Sequence, residues 1–412
     1  MILQELHIIG FKNIQEASLT FADKLNCLVG NNGQGKTNLL DAIYYLSFTK
    51  SAFNPIDSQN IRHESDFAMI QGVYAQDEGK SFQNAGNTEV ILDNSPGQTE
   101  VNTVSVTCSI KRGAKKQFRY GKTDYQRLLE HIGRIPLVMV SPEDNQLIAE
   151  GSDERRRFLD IIIGQTDRAY LEHLNLYNTL VKQRNALLKQ YAEASVIPED
   201  LFEVIEAQMI PHAEYIFTRR RDFVEAFIPI FQNLYSTIAE VEESPRLTYC
   251  SQLLERNLLD SLQATRRRDL ILGWTSQGVH KDELEMYLGD YPLRRVGSQG
   301  QQKTYLIALK LAQALYLSSQ PFSPSISPSE RGQGGVVKPI LLLDDIFDKL
   351  DAERVSRIVS LVRSDRFGQI FLTDTDRQHL TDIVRPIGEL GDDVAPLGSS
   401  KVFYVHDGEF ED

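Results

Sequence analysis

A glycine-rich segment close to the N-terminus limits the possible folds more than any other part of this chain. Residues 30–37 read GNNGQGKT and match the pattern G-x-x-x-x-G-K-[ST]. The apolar run Leu25–Val29 precedes the segment, and apolar residues at helical spacing follow it between Leu39 and Leu46. A strand, a glycine turn and a helix N-terminus direct backbone N–H groups at an anion. The segment therefore predicts a loop that binds the phosphates of ATP or GTP rather than an ordinary glycine-rich turn, because a Lys-Thr pair stands at the helix start.

Each residue type of this loop predicts part of the binding chemistry. The glycines allow the backbone to close around phosphate oxygens, since no β-carbon is in the way. We expect Lys36 to reach the β- and γ-phosphates and the hydroxyl of Thr37 to bind Mg²⁺. The expected nucleotide-binding residues are Gly30, Asn31, Asn32, Gly33, Gln34, Gly35, Lys36 and Thr37.

A second apolar run predicts the other half of a hydrolytic nucleotide site. Residues 340–343 are four aliphatic residues, and Asp344 and Asp345 follow them directly. Parallel α/β sheets bind ligands at the carboxyl ends of their strands, where this run would place both acids. Asp344 is the expected Mg²⁺ partner, and Asp345 is expected to orient or deprotonate the attacking water. Two solvated charges are the alternative, which the apolar run and the phosphate loop disfavour.

A third motif lies at the start of a helix that the sequence predicts over residues 304–317. Residues 298–302 read SQGQQ, and their hydroxyl, glycine and helix N-terminus form another surface suited to phosphate. Residues 348–351, DKLD, resemble the D-loop of ABC-type ATPases, and the order of all these motifs resembles that superfamily. The resemblance implies that Ser298 and Gly300 face the γ-phosphate held by a partner subunit, so that ATP joins two copies into a head-to-tail homodimer.

The bulk composition is that of an ordinary soluble protein of two or three domains. The chain has 412 residues, of which 41% are hydrophobic and 25% charged. It shows no apolar run long enough to span a bilayer and no signal-peptide pattern, so we expect a cytoplasmic protein without a membrane partner. Cys27, Cys108 and Cys250 lie far apart without metal-ligand spacing, and we assign them no role.

Changes in pattern along the chain predict three parts. Residues 1–150 read as a strand-rich half of an ATPase head, 151–273 as an inserted helical arm, and 274–412 as the other half of the head. Within the arm, Pro211 and Pro229 are expected to kink or divide the helices. The polar segment 76–97 predicts a surface hairpin or loop, and the Ser/Pro/Gly-rich segment 318–338 a flexible loop.

Basic residues occur in groups although the net charge is −13. A single group is more often a solvated helix face than a binding site, but several groups allow local positive patches suited to a phosphate backbone. Two further groups, 266–268 and 294–295, receive no assignment. The candidate DNA contacts are Lys111, Arg112, Lys115, Lys116, Arg155, Arg156, Arg157, Arg219, Arg220 and Arg221.

Motifs along the whole chain resemble the RecF family of bacterial recombination mediators, which are SMC-like ABC ATPases. The most specific motifs are SPED at 141–144 and ERRRFLD at 154–160. Further matching motifs are QRN at 183–185, GVHKDEL at 278–284 and SQGQQ at 298–302. The resemblance implies an α/β fold, an ABC-type P-loop ATPase head of mixed sheet and helices with an inserted α-helical arm. It also implies a weak DNA-stimulated ATPase that uses ATP and Mg²⁺ and binds gapped or single-stranded DNA. RecR and RecO type mediators are the implied partners in loading the recombinase and in the SOS response.

Some positions depart from the family pattern. Val279, Lys281 and Glu283 stand where Pro, Arg and Asp are usual, and Asn54 stands where Arg is common. These changes leave the ATP loop intact but affect any contact assigned to Asn54 or Lys281. In place of the usual Q-loop glutamine we expect Glu143 or Asp144 to lie near Mg²⁺ or the attacking water. We expect His280 to be structural or close to DNA rather than catalytic.

Two other classes of protein share the nucleotide motifs. The ATPase subunit of a transporter fits poorly. A helical block with nearby arginine triplets separates the two halves of the head, which does not suit docking on a membrane partner. A different SMC-like ATPase would normally have far longer arms with heptad repeats, and residues 151–273 are too few for an extended coiled coil.

Overall fold

The computed structural model describes residues 1–75, 103–194, 196–239, 243–320, 337–375 and 400–411. The predicted loop at 76–97 lies outside the described residues, as do residues 321–336 of the predicted loop at 318–338. The chain forms two compact units, one of residues 1–143 with 306–412 and the other of residues 144–305. The division into three parts at 150 and 273 stays a prediction.

The elements follow one another in chain order. Those before residue 144 are β1 (Ile2–Phe11), β2 (Ile14–Thr20), β3 (Leu25–Val29), α1 (Lys36–Phe48), β4 (Phe67–Ala75), β5 (Thr103–Lys111), β6 (Gln117–Tyr120), β7 (Thr123–Asp124) and β8 (Leu137–Val140). The next are α2 (Gln146–Ala149), α3 (Ser152–Thr166), α4 (Arg168–Gln190), α5 (Glu199–Ala239), β9 (Pro245–Cys250), α6 (Leu258–Leu272), β10 (Glu283–Leu288), β11 (Tyr291–Pro292), α7 (Leu293–Val296) and α8 (Gln299–Ser319). The last are β12 (Ile340–Asp344), α9 (Ala352–Arg363), β13 (Ile370–Asp374), β14 (Ser400–His406) and β15 (Glu409–Glu411).

A mainly parallel sheet in the first unit positions the nucleotide motifs. Its strand order is β15-β14-β3-β13-β12-β8, and only the β14–β15 pair is antiparallel. Every residue of β3, β8, β12 and β13 is buried, as expected of parallel strands covered on both faces. Because β3, β12 and β13 run parallel, their carboxyl ends meet at one edge of the sheet, where Gly30, Asp344 and Asp374 stand.

An antiparallel sheet completes the first unit. Its strand order is β2-β1-β4-β5-β6-β7, and β4 and β5 alternate buried and less buried residues, which is typical of a sheet with one covered face. Helix α1 packs against strands of both sheets. Nearly all of its side chains are buried, so the helix that follows the phosphate loop is fixed in the core of this unit.

The second unit is mainly helical, with a small antiparallel sheet of order β11-β10-β9. Helix α5 runs for 41 residues alongside α4 and contains both Pro211 and Pro229. The helix is therefore not divided at either proline, and the alternative expectation of a kink stays a prediction. Each proline leaves the carbonyl four residues earlier without its helical donor, and both prolines lie on the exposed side, where water can bind that carbonyl.

Charged side chains with buried partners tie these helices together. Arg184 of α4 donates to Glu206 of α5 (3.0 Å) and to Asp269 of α6 (2.7 Å), and all three side chains are buried. Arg266 of α6 donates to the other oxygen of Glu206 at 2.5 Å. In the part of the chain that the structure describes, no helix is long and apolar enough to cross a membrane.

Candidate nucleotide-binding site

The predicted phosphate loop connects β3 to α1 and requires glycine at two positions. Gly33 and Gly35 have φ of +83° and +114°, in the left-handed region that favours glycine. Gly35 directly precedes the helix, which begins at Lys36. Backbone N–H groups of the first helical turn have no partner within the helix, so they are available to an anion here.

Contacts from two other segments hold this loop. A β-carbon on Gly30 would lie 2.4 Å from the carbonyl oxygen of Val405 in β14, which leaves room for glycine alone. The turn between β14 and β15 donates from the N–H groups of Asp407 and Gly408 to the side-chain and backbone oxygens of Gln34, at 2.5 and 2.8 Å.

On its other side, the loop meets the turn between β1 and β2. The side-chain amide of Asn38 donates to the side-chain oxygen of Asn13 at 2.7 Å. A β-carbon on Gly35 would lie 3.0 Å from the side-chain nitrogen of Asn13. The sequence motif gave no signal of these contacts, because their partners come from the two ends of the chain.

Lys36 lies folded over the loop. Its ammonium donates to the carbonyl oxygens of Gly30 (2.5 Å) and Asn31 (2.9 Å). Burial lowers the pKa of Lys36, and the carboxylates of Asp344 and Asp345 act in the opposite direction. The buried side chain of Lys36, with its ammonium bound by two neutral carbonyls, is well placed to exchange them for phosphate oxygens, which would supply the missing negative charge.

The predicted magnesium ligands lie in direct contact. The hydroxyl of Thr37 donates to the Asp344 carboxylate at 2.8 and 3.1 Å, across 307 residues of sequence. Burial raises the pKa of Asp344, which is 4% exposed, although the hydrogen bonds from Thr373 and Thr37 oppose the increase. A hydroxyl beside a poorly solvated carboxylate fits Mg²⁺, which binds one or two protein oxygens and takes its remaining ligands from water and phosphate.

Thr373 is a site residue that the sequence motifs missed. Its hydroxyl donates to Asp344 at 2.6 Å and accepts from the N–H of Asp345 at 3.0 Å. Asp345 has φ of +49°, so this bond holds the second acid in a backbone conformation that non-glycine residues rarely adopt. The available signal was that Thr373 directly follows an apolar run, residues 370–372, which is typical of a buried strand.

The SQGQQ motif at residues 298–302 has a local structural role. Ser298 accepts from the N–H of Gln301 at 3.2 Å, and the Gln301 side chain accepts from the N–H of Ser298 at 2.8 Å. This reciprocal pair is a capping box that starts α8. Ser298 is exposed and Gly300 half-buried, in the second compact unit, whereas the phosphate loop belongs to the first.

Most arginines among the candidate DNA contacts are bound to acids of the same chain. Arg155 forms a bidentate salt bridge with Glu283, with N–O distances of 2.6 and 2.7 Å. Arg220 forms salt bridges with Asp160 and Asp282, both at 2.8 Å. The assignment of Arg220 to DNA is wrong, because its side chain is fully buried and its charge is compensated. The other pairs are Arg156 with Asp153, Arg157 with Glu154, Arg219 with Asp167 and Arg221 with Asp222.

The lysine-rich candidates divide in a similar way. Lys116 is half-buried and donates to Asp57 and to the carbonyl oxygen of Thr49, at 3.0 and 2.6 Å. Lys111, Arg112 and Lys115 are exposed around the turn after β5. These three residues, with Arg157, Arg219 and Arg221, are the candidates whose side chains reach the surface.

His280 is built into the interior of the second unit. Its ring nitrogens lie 2.9 Å from the Tyr177 hydroxyl and 3.0 Å from the Thr275 carbonyl oxygen. Burial lowers the pKa of His280 to about 4, so the ring is neutral at physiological pH. Asn54 has a local role as well, since its side-chain oxygen accepts from the N–H of Ile56 at 3.1 Å.

Comparison with known proteins decides the family. The model of the RecF/RecN/SMC N-terminal domain family matches residues 2–390. The DNA replication and repair protein RecF of Phocaeicola vulgatus is 49% identical over 409 residues, covering 99% of this chain and 98% of that protein. This chain belongs to the RecF family of DNA replication and repair proteins. The family predicted from the sequence motifs is thereby confirmed.

Solved structures agree on the fold. The recombination mediator protein RecF with ATP, of the RecFOR pathway, superposes with a TM-score of 0.77 at 24% identity and covers 100% of this chain and 97% of that one. An Smc head domain bound to the C-terminal domain of ScpA, from Pyrococcus furiosus, superposes with a TM-score of 0.52 at 16% identity. The match covers 100% of this chain and 95% of the Smc chain. The predicted α/β fold of an ABC-type P-loop ATPase head is confirmed.

Proposed function

We propose that this RecF family member is an ATP-dependent DNA-binding protein that binds gapped or single-stranded DNA as an ATP-induced dimer. Slow, DNA-stimulated hydrolysis of ATP releases the DNA, and RecR and RecO type mediators act with it to load a recombinase. The observation that carries the ATP site is the contact of Thr37 with Asp344 beside the buried Lys36, three residues whose chemistry matches a Mg²⁺–nucleotide complex.

Each residue of this site has a role in the proposal. With nucleotide bound, Lys36 would exchange its carbonyl partners for the β- and γ-phosphates, and Thr37 and Asp344 would hold Mg²⁺. Asp345 orients the attacking water, with Thr373 fixing its backbone. Glu143 and Asp144 follow β8, whose Val140 lies opposite Leu343 of β12, and one of these two acids remains our candidate to replace the Q-loop glutamine.

Dimerisation gives the SQGQQ motif at residues 298–302 its function in this proposal. Ser298 and Gly300 stand at the start of a 21-residue helix, whose N-terminus attracts an anion. We expect this surface to receive the γ-phosphate bound to a second copy of the chain. Nucleotide would then close the dimer, and hydrolysis would open it.

Two variants of the nucleotide site test this mechanism. Lys36→Ala removes a phosphate contact and should remain monomeric with ATP, whereas Asp345→Asn should bind ATP without hydrolysing it and accumulate as a dimer. Lys50→Ala, at an exposed lysine just beyond α1, serves as the control and should behave as the unmodified protein. Light scattering with and without ATP gives the oligomeric state, and monomers in both site variants would refute the proposed ATP-induced dimer.

The exposed basic residues test the DNA part of the proposal. Alanine at Lys111, Arg112 and Lys115 in one variant, and at Arg157, Arg219 and Arg221 in another, should weaken binding to gapped DNA. The slope of log affinity against log salt should become less steep by nearly one for each phosphate contact that is lost. Unchanged affinity and slope in both variants would remove these residues from the DNA interface.

A further inference from the structure

The chain has a single tryptophan, and it lies on the surface of the second unit. Trp274 follows the end of α6 and is 40% exposed. The ammonium of Lys281 lies over its ring, 4.3 Å from the ring centroid. Lys189 of α4 packs against Gly273, the residue before Trp274, since a β-carbon on Gly273 would lie 3.4 Å from Lys189 Cγ.

The last turns of α6, which lead directly to Trp274 in the chain, carry two exposed arginines and an exposed apolar residue. Arg267 and Arg268 are exposed, and Ile271 is 87% exposed. Ile271 lies four residues after Arg267 and three after Arg268, a spacing that places it on the same helix face as both. We name these six residues, Lys189, Arg267, Arg268, Ile271, Trp274 and Lys281, the Trp274 surface.

The positive charge of the Trp274 surface is not compensated locally. Among the described residues, none of its four cations lies within 4.0 Å of a carboxylate, whereas Arg155, Arg219 and Arg221 all have acidic partners. The negative end of the α6 dipole offsets only about half a charge. On a chain of net charge −13, this surface is a local site of attraction for a polyanion.

We propose that the Trp274 surface binds an unpaired stretch of nucleic acid, with a base stacked on the indole of Trp274. Lys281 covers one face of the ring, so the base stacks on the other, and Lys189, Arg267 and Arg268 hold the flanking phosphates. Aromatic rings with surrounding cations are the recurring means of binding single strands without sequence preference, because every base has a π-face. The inference rests on the proposed function and adds the position at which the single-stranded part of a gapped substrate is held.

The single tryptophan makes the test specific to this surface. Its fluorescence, excited where tyrosine does not absorb, reports on Trp274 alone. Oligo-dT should quench this fluorescence, and an abasic oligonucleotide with the same number of phosphates should not. Trp274→Ala should weaken oligo-dT binding on the order of tenfold, and Trp274→Phe, which keeps a stacking ring, by less than about threefold. Both variants should keep the nucleotide affinity and thermal midpoint of the unmodified protein.

The outcomes separate this inference from the proposed function. Failure of the unmodified protein with ATP to bind either gapped DNA or oligo-dT would refute the proposed function itself. Gapped DNA that binds with unchanged fluorescence and with equal affinity for Trp274→Ala would refute the Trp274 surface alone. A fluorescence change produced by an acidic protein partner, but by no DNA, would assign the surface to protein docking and overturn the inference.

Discussion

Replacing Thr373 by valine tests whether one buried hydroxyl organises both acids of the nucleotide site. Thr373 is fully buried, and its hydroxyl links the Asp344 carboxylate at 2.6 Å to the Asp345 N–H at 3.0 Å. Valine has nearly the same shape, so the substitution opens no cavity. It removes the donor to Asp344 and leaves the Asp345 N–H without this partner.

The structure gives the size of the expected effect. A hydrogen bond to a charged group contributes about 1.5–3 kcal/mol, and an unsatisfied buried donor costs about 1–3 kcal/mol. Burying the additional methyl group returns about 0.8 kcal/mol. Thr373→Val should therefore lower the free energy of unfolding by about 2–5 kcal/mol. It should also raise the pKa of Asp344 further, since the Thr373 hydroxyl is the strongest group that opposes the effect of burial.

Thr373→Ser is the matched control, because it keeps the hydroxyl and loses only a methyl group, at about 1 kcal/mol. Urea unfolding of the nucleotide-free proteins measures stability, and titration of a fluorescent ATP analogue at several Mg²⁺ concentrations measures the site. Loss of about 1.4 kcal/mol in holding Asp344 would weaken Mg²⁺-dependent binding about tenfold in the valine variant. Equal stability and equal Mg²⁺ dependence of the valine and serine variants would refute the role given to Thr373.

Three further predictions concern the loop, the pH dependence and the helical unit. Gly30→Ala should abolish ATP binding measured by the same titration, because its β-carbon would lie 2.4 Å from the Val405 carbonyl oxygen, and near-normal affinity would contradict this packing. Burial lowers the pKa of both His131 and His280 to about 4, so between about pH 6.5 and pH 4 the unfolded chain binds more protons. The free energy of unfolding should then decrease on acidification by up to about 1.4 kcal/mol per pH unit for each histidine, and an unchanged slope in His131→Gln would exclude that residue. Glu206→Gln removes the charge between two buried arginines and should lower the free energy of unfolding by about 3–5 kcal/mol in urea titrations, whereas no change would show that the pair is dispensable.

The core of the nucleotide site was predictable because its chemistry is local in sequence. The loop needs glycines, a lysine and a hydroxyl within eight residues, and the strand Ile340–Asp344 carries its acid at its own end. The contact of Thr37 with Asp344 then follows from parallel pairing, which brings the carboxyl ends of distant strands to one edge.

The basic groups were harder to interpret, since a run of arginines reads the same whether or not acids pair with it. Glu283 lies 128 residues from Arg155, and Asp282 lies 62 residues from Arg220. Neither partner has a local signal, so arginine groups that looked like phosphate-binding patches are largely paired with acids of the same chain. The single residues of the Trp274 surface were missed for the converse reason, because Lys189, Trp274 and Lys281 form a cluster only in the fold.

Asp344 and Lys36 carry opposite charges in the nucleotide site of the first unit, and each is buried against neutral partners. Burial has raised the folded-state pKa of Asp344 above its value in the unfolded chain, so its ionised form opposes folding at every pH above the ordinary range of an aspartate. Lys36 lies buried against carbonyl oxygens rather than bonded to that carboxylate, although its charge has the right sign. An arrangement selected only for stability would pair the two groups, as the second unit does with Arg220 and Asp282. We infer that the first unit keeps them apart so that a cation can bind beside the carboxylate and phosphate beside the lysine, and nucleotide binding then relieves both costs at once.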